Sequence, residues 1–337
     1  MQTVTPSELK HMIVKYWKAN VTWLIRGKPG VAKSDLVNQV SDTLAETIPD
    51  WRGIQEFRAV TADPVDLRGF GAIRDDMTKW FRPEFLPREG NGILFLDELL
   101  HGTQAMQAGL MSLIYEKQVA GHKLGEGWHI IAATNRSADR AAINRMPSPA
   151  KSRVLQVELD IPTKDWLDWA GNNGIHPLIQ SFLRVHGELL NTFDPEKDQD
   201  VYACARTWEM LSLMLKTAEP TSTELQVLAE GLVGQGPAVE LVGFMEIKES
   251  LPKMADIIAG TAPALNSPSA IHACGSFMAM ALQGRPELRE PLAKYIVQFP
   301  PEWCASVLRE FVKIDPSFTA TPALGNWLAE HSDHLVG

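Results

Sequence analysis

The chain has 337 residues, 45% hydrophobic and 22% charged, with a formal net charge of -9. That length exceeds what one core usually organises and predicts two domains; the ordinary apolar content excludes a disordered chain. The negative balance makes nucleic acid an unlikely main partner, because phosphate recognition draws on clustered Lys and Arg.

The stretch Thr5-Pro6-Ser7-Glu8 predicts the start of a first helix, with Thr5 as cap, Pro6 at the first helical position and Glu8 closing a capping box. VTWLIR (21–26) predicts a short buried strand that runs into a Gly-rich loop, GKPGVAKS (27–34). SDLVNQVSDTLAE (34–46) follows, with Leu36, Val37, Val40 and Leu44 at helical spacing. IQEFRAV (54–60) predicts a second strand, and residues 63–87 read as irregular. GILFLDE (92–98) predicts a fully buried strand ending in two acids, and TQAMQAGLMSLIYEKQ (103–118) a helix capped by Thr103. QVAGHKLGEGWH (118–129) reads as a hairpin, and WHIIAATN (128–135) and SRVLQVELD (152–160) as further buried strands. Strands apolar on both faces and alternating with helices imply an α/β fold, a parallel sheet flanked by helices.

From residue 161 the pattern is helical, with a polar loop at NTFDPEKDQD (191–200) and a seam at TAPALNSPS (261–269). Cys204, Cys274 and Cys304 are too few and too far apart for a disulfide or zinc framework, and read as buried, reduced thiols. No apolar run approaches the roughly 20 residues that span a bilayer, and MQTVTPSELK has no signal-peptide pattern. A soluble, cytoplasmic protein with no membrane association is expected.

The loop nearly fits the phosphate-binding pattern of Gly, four residues, then Gly-Lys-Ser/Thr. Gly27, Lys33 and Ser34 fit it; Ala32 stands where the second Gly belongs. Ala there costs only a methyl group if the backbone takes negative φ, which Ala tolerates. Asp97 at a strand tip, with the Ser34 hydroxyl, suits the Mg²⁺ shell of a bound nucleotide. Glu98 beside it suits activation of a water, and Asn135, ending the next buried strand, suits holding that water.

GKPGVAKS, ILFLDE, AATN, PSPAKSRV and ARTWEM, in that order, resemble the AAA+ ATPases of the MoxR type, whose matching motifs are Walker A, Walker B, sensor 1, arginine finger and sensor 2. The resemblance spans residues 20–215, and members often carry Ala before the Walker lysine. It implies a P-loop AAA+ domain over 1–160, a helical lid over 161–260 and a C-terminal helical region over 261–337. It implies ATP and Mg²⁺ as cofactors, with nucleotide contacts from Gly27, Pro29, Gly30, Val31, Ala32, Lys33, Ser34 and Asp35, and metal contacts from Ser34 and Asp97. Lys33 would neutralise the β- and γ-phosphates, Glu98 polarise the water, and Asn135 place it. Arg206 would touch the γ-phosphate in cis, and Arg153 would act in trans on a neighbouring subunit, with Arg140 and Arg145 as nearby competitors.

A finger in trans implies a homo-oligomer, for this family a hexameric ring, and the family remodels protein clients in a chaperone-like manner, often with a partner bearing a von Willebrand factor A domain. The family often has Ile-Asn-Arg after the acid pair; here stand Leu99-Leu100-His101, and His101 reads as a solvated loop histidine. The family inserts a pore element where residues 63–87 fall, so Phe70 reads as pore-facing, while Trp80 and Phe81 are expected to pack the insert against the sheet. Two other readings compete. One is a nucleic-acid motor or loader, which Arg68, Arg74, Lys79 and Arg82 favour and Asp75, Asp76 and Glu84 oppose. The other is a nucleotide-gated binding protein with little turnover.

Overall fold

Six parallel strands make the sheet that organises the first half of the chain, in a computed structural model describing residues 2–139, 146, 151–249, 251–282 and 284–330. The strands are β1 (Thr3–Val4), β2 (Trp23–Gly27), β3 (Trp51–Arg58), β6 (Asn91–Asp97), β9 (Gly127–Thr134) and β10 (Leu155–Leu159). Their spatial order is β1-β10-β2-β9-β6-β3. This sheet belongs to a compact unit of Met1–Trp166 together with Thr192–Asp200 and Cys204–Arg206, so the polar loop inside the helical half is counted with the sheet.

The apolar strand runs have a direct physical cause. Side chains alternate between the two faces of a strand, and both faces here are covered. Leu24, Leu94, Leu96, Ile130 and Ala132 pack on one side with Met106, Leu110 and Leu113 of α3 (Gln104–Glu116). Ile25, Ile93, Phe95, Ile131 and Ala133 pack on the other with Leu9 and Ile13 of α1 (Pro6–Lys15) and Leu36, Val37 and Leu44 of α2 (Lys33–Ala45). Helix α1 has the predicted start: Pro6 opens it and Thr5 and Glu8 form the capping box. Thr103 caps α3, its hydroxyl accepting from the Met106 amide.

The stretch expected to be irregular contains an antiparallel hairpin of β4 (Phe70–Arg74) and β5 (Met77–Phe81). Its two-residue turn is Asp75–Asp76, at φ +54° and +56°. Positive φ at both positions is the hairpin turn that Asn-Gly usually marks; Asp tolerates the left-handed region, so the turn forms without its usual sequence signal. Trp80 and Phe81 do not pack on the sheet as expected: they are 42% and 44% exposed, and Phe70 is 75% exposed. No hydrophobic alternation was readable because neither hairpin face is buried. A second short hairpin, β7 (Gln118–Val119) with β8 (His122–Lys123), stands where it was predicted.

The second unit comprises Leu167–Asn191, Val201–Ala203 and Thr207–Gly337. Its described elements are helical, among them Pro177–Val185, Ser222–Val233, Gln235–Glu249, Pro268–Leu282 and Pro301–Ile314. Part of its core joins Ile271, Cys274, Leu292, Cys304, Phe311 and Phe318. All three cysteines are buried and in no disulfide, and burial pushes the Cys274 and Cys304 thiols up to about 12. Thiols so rarely ionised are inert packing groups. No described helix is long and apolar enough to cross a membrane.

One core contact should make stability pH-dependent. His129 of β9 stacks on Trp17, ring centroids 3.9 Å apart, and burial, reinforced by the positive charge of Lys117, lowers its pKa to about 4. An unfolded histidine titrates near 6.5, so between these values the unfolded chain binds the extra proton. The stability supplied by neutral His129 is therefore complete above about pH 6.5 and lost as pH falls toward 4. With allowance for partial exposure, wild type should lose about 1 kcal/mol more than His129→Phe between pH 7 and pH 5, read from urea midpoints. Equal losses in the two proteins would remove His129 as the cause.

Candidate functional site

The strand order decides which chain segments meet. β2 lies between β10 and β9, and β9 lies between β2 and β6. The residues that leave the C-terminal ends of β2, β9 and β6 are therefore neighbours, at the edge where open parallel sheets build their sites. These are the Gly27–Ser34 loop, Asn135 and the Asp97–Glu98 pair.

The loop is shaped by its glycines. Gly30 sits at φ +74°, and a Cβ there would collide with the Sγ of buried Cys204. A Cβ on Gly27 would come within 2.9 Å of the Leu159 carbonyl oxygen. Val31 is buried under the loop, Pro29 and Ser34 are partly exposed, and Asp35 in the first turn of α2 is exposed. No side chain caps α2, so its first amides are open to an anion at the positive end of the helix.

Ala32 does not meet the condition of negative φ under which Ala would cost only a methyl group. It stands at φ +51°, ψ +37°, left-handed backbone that crowds its Cβ against the carbonyl. The loop shape demands what Gly would supply, and Ala is held there under strain. Relief of about 1–2 kcal/mol, less the backbone entropy of an added Gly, leaves Ala32→Gly more stable by about 0.5–1 kcal/mol. Thermal unfolding measures this, and a destabilised variant would show that Ala32 is not strained.

Lys33 has three donors and all are used: its Nζ donates to Gly27 O at 3.0 Å, Lys28 O at 3.0 Å and Asn135 Oδ1 at 2.9 Å. The last bond links the loop lysine to the strand-end amide across 102 positions of sequence. Burial lowers the amine to about 8, while the charges of Asp97 and Asp139 work the other way; the positive charge of Arg206 lowers it further. Arg206, exposed at the start of the helix Ala205–Thr217, is thus close enough to be felt at Lys33.

Asp97 is half-buried, and burial raises its carboxyl pKa, opposed by a bond from the Glu98 amide to Oδ1 at 2.9 Å. Glu98 itself holds φ +53°, an uncommon conformation of the kind that collects at functional sites. The donor set fits a hard divalent cation, because Ser34 and Asp97 offer oxygens only. No group of three or more His, Cys, Asp or Glu suited to a metal occurs among the described residues, so phosphate oxygens and water would supply the other ligands.

His101 is not solvated as expected. It is half-buried, with Nε2 3.4 Å from Asn135 Nδ2. The turn that carries it is pinned: the Leu99 amide donates to Ala133 O, and Gln107 Nε2 donates to the carbonyls of Leu100 and Gly102. The sequence reading also missed Arg136 and Asp139. Arg136 donates to Asp139 at 2.7 Å and to Glu158 of β10 at 3.0 Å, anchoring the segment that follows Asn135. Their i, i+3 spacing directly after Asn135 was the available signal. Arg153 makes its contact elsewhere, exposed and with its guanidinium 4.5 Å from the centre of the Tyr115 ring. Arg140 and Arg145 lie outside the described residues.

The parallel sheet, its flanking helices and the loop from strand to helix define an α/β fold of the P-loop type followed by a helical region. No protein-family model matches the chain, and no curated protein matches it. Among solved structures, a variant of RuvB from Thermotoga maritima is 15% identical over 75% of this chain and 72% of its own, with a TM-score of 0.37. NtrX from Brucella abortus is 16% identical over 96% of this chain and 67% of its own, with a TM-score of 0.40.

Proposed function

We propose that the chain is a Mg²⁺-dependent ATPase of the AAA+ class, similar to the MoxR type, that works as a hexameric ring and remodels a protein client. The observation that carries the ATPase reading is the 2.9 Å bond between Lys33 and Asn135, beside the Asp97–Glu98 pair. It puts a phosphate-neutralising cation and a water-holding amide within one hydrogen bond of each other.

In this reading Lys33 exchanges its loop carbonyls and Asn135 for the β- and γ-phosphate oxygens, and the open amides of the loop and α2 cradle the same group. Asn135, released, orients a water in line with the γ-phosphorus. Glu98 accepts the proton of that water as the new P–O bond forms and the bond to the ADP oxygen breaks. Arg206 stabilises charge on the γ-phosphoryl group in cis. Ser34 and Asp97 would hold a Mg²⁺ ion, which would supply charge neutralisation on the phosphate oxygens.

The ring and client are supported by two features. Arg153 is exposed, as a group acting on a neighbour's nucleotide must be. The β4–β5 hairpin presents Phe70, Ile73 and Met77 to solvent, an apolar grip suited to polypeptide. A von Willebrand factor A domain protein is the proposed partner, and the helices from residue 161 serve as lid and C-terminal region. Phosphate release from ATP by the purified chain, with Mg²⁺ and with excess chelator, tests the ATPase. Chelator-sensitive turnover supports it; a chain that binds ATP but never turns it over returns the reading to a nucleotide-gated binding protein.

A further inference from the structure

A cavity of about 640 Å³ lies within the helical unit, lined by none of the residues assigned to the candidate nucleotide site. It is lined from the helices Pro177–Val185, Gln235–Glu249, Pro268–Leu282 and Pro301–Ile314, and from His186 just past the first of them. Its volume is in the range that small ligands occupy.

The lining has a definite chemistry. Phe244 and Trp303 supply aromatic wall, and His272 stands edge-on to Trp303 with ring centroids 5.2 Å apart. His186 stacks on Phe182 and holds Glu240 at 3.2 Å through Nδ1. Arg184 also lines the cavity, and its Nε is buried with no hydrogen-bond acceptor among the described residues. A buried donor without an acceptor is unfavourable, and each one in a folded protein asks for an explanation. The guanidinium fork matches a planar carboxylate best. Glu240 and Glu310 lie in the same lining, so a second or third negative charge on the ligand would be repelled. That disfavours nucleotides and other polyanions, whose further charges Arg184 alone cannot neutralise; the one charge it can neutralise, beside an aromatic wall, fits a carboxylate attached to a ring.

We propose that this cavity binds a small aromatic monocarboxylate, with the carboxylate on Arg184 and the ring between Phe244 and Trp303. Such a site would let a metabolite or regulator of that class act through the helical unit.

Ligand-observed NMR titration of the full chain with indole-3-acetate, and with its neutral alcohol analogue tryptophol, tests the proposal. The acid is expected to bind about tenfold or more tightly than the alcohol, and Arg184→Gln to erase that preference. Gly243 lines the cavity and a Cβ built on it meets nothing within 4 Å, so Gly243→Leu fills the space while strengthening its helix. That variant is expected to weaken the acid about tenfold or more without endangering the fold. Equal binding of acid and alcohol, no binding of either at about 5 mM, or full affinity in Gly243→Leu would each overturn the proposal. ATP turnover is read separately in the same samples, so failure here leaves the ATPase reading standing.

Discussion

Glu98→Gln is expected to lower kcat for ATP hydrolysis by about 10²–10⁴-fold while leaving nucleotide affinity within about threefold. Gln keeps the length and hydrogen-bonding shape of Glu but cannot take a proton from water. In the proposed mechanism Glu98 is the acid that does so, because Asp97 beside it accepts from the Glu98 amide and would offer its other oxygen to the cation. The left-handed backbone at Glu98, φ +53°, also turns it out of the line of β6, so its direction is set by the turn and not by the strand. Lys33→Ala should fail differently. In the proposed mechanism it deletes the cation that would meet the phosphates, so affinity should fall together with turnover. Single-turnover rates and nucleotide titrations on both variants separate the two failures. Retention of half the activity by Glu98→Gln would falsify its role as base.

Much of this site was legible because its parts are local in sequence and their arrangement is fixed by topology. An apolar strand ending in Asp97-Glu98, another ending in Asn135, and a strand–loop–helix at Gly27–Ser34 leave few alternatives once the sheet is parallel. The alternating faces of β2, β6 and β9 were equally readable, since both must be apolar when helices cover both. Most of the misreadings share another cause: they depend on a backbone angle or a distant neighbour. The Asp75–Asp76 turn takes positive φ at both residues without Asn or Gly, so the hairpin hid in an apparently irregular stretch. Ala32 takes the angle of the glycine it replaces because Gly30, Cys204 and the start of α2 dictate the loop around it. His101 is drawn in by a bond from the Leu99 amide to Ala133 on another strand, 34 positions from its start. Trp80 and Phe81 are apolar side chains left in solvent, and hydrophobicity alone always votes for burial.

Arg153→Ala is expected to assemble normally and to lower kcat by about 10³-fold or more, the range in which arginine fingers act. The residue is exposed and its charge rests on the Tyr115 ring 4.5 Å away, an interaction worth about 0.5–1 kcal/mol and readily exchanged for a phosphate. If it serves a neighbour, wild-type specific activity must rise with protein concentration as the ring forms, and the mass of the species must rise with it. A mixing experiment is sharper. Arg153→Ala subunits keep an intact loop, and Lys33→Ala subunits keep an intact finger; each alone is inactive. In a head-to-tail ring made from equal amounts, about a quarter of the interfaces pair an intact loop with an intact finger, and activity returns in that proportion. A finger acting in cis cannot be restored by mixing. An active Arg153→Ala protein passes the role to Arg140 or Arg145, and the same mixing of their alanine variants with Lys33→Ala subunits identifies which. Activity independent of concentration in a species that stays monomeric removes the trans finger and the ring together.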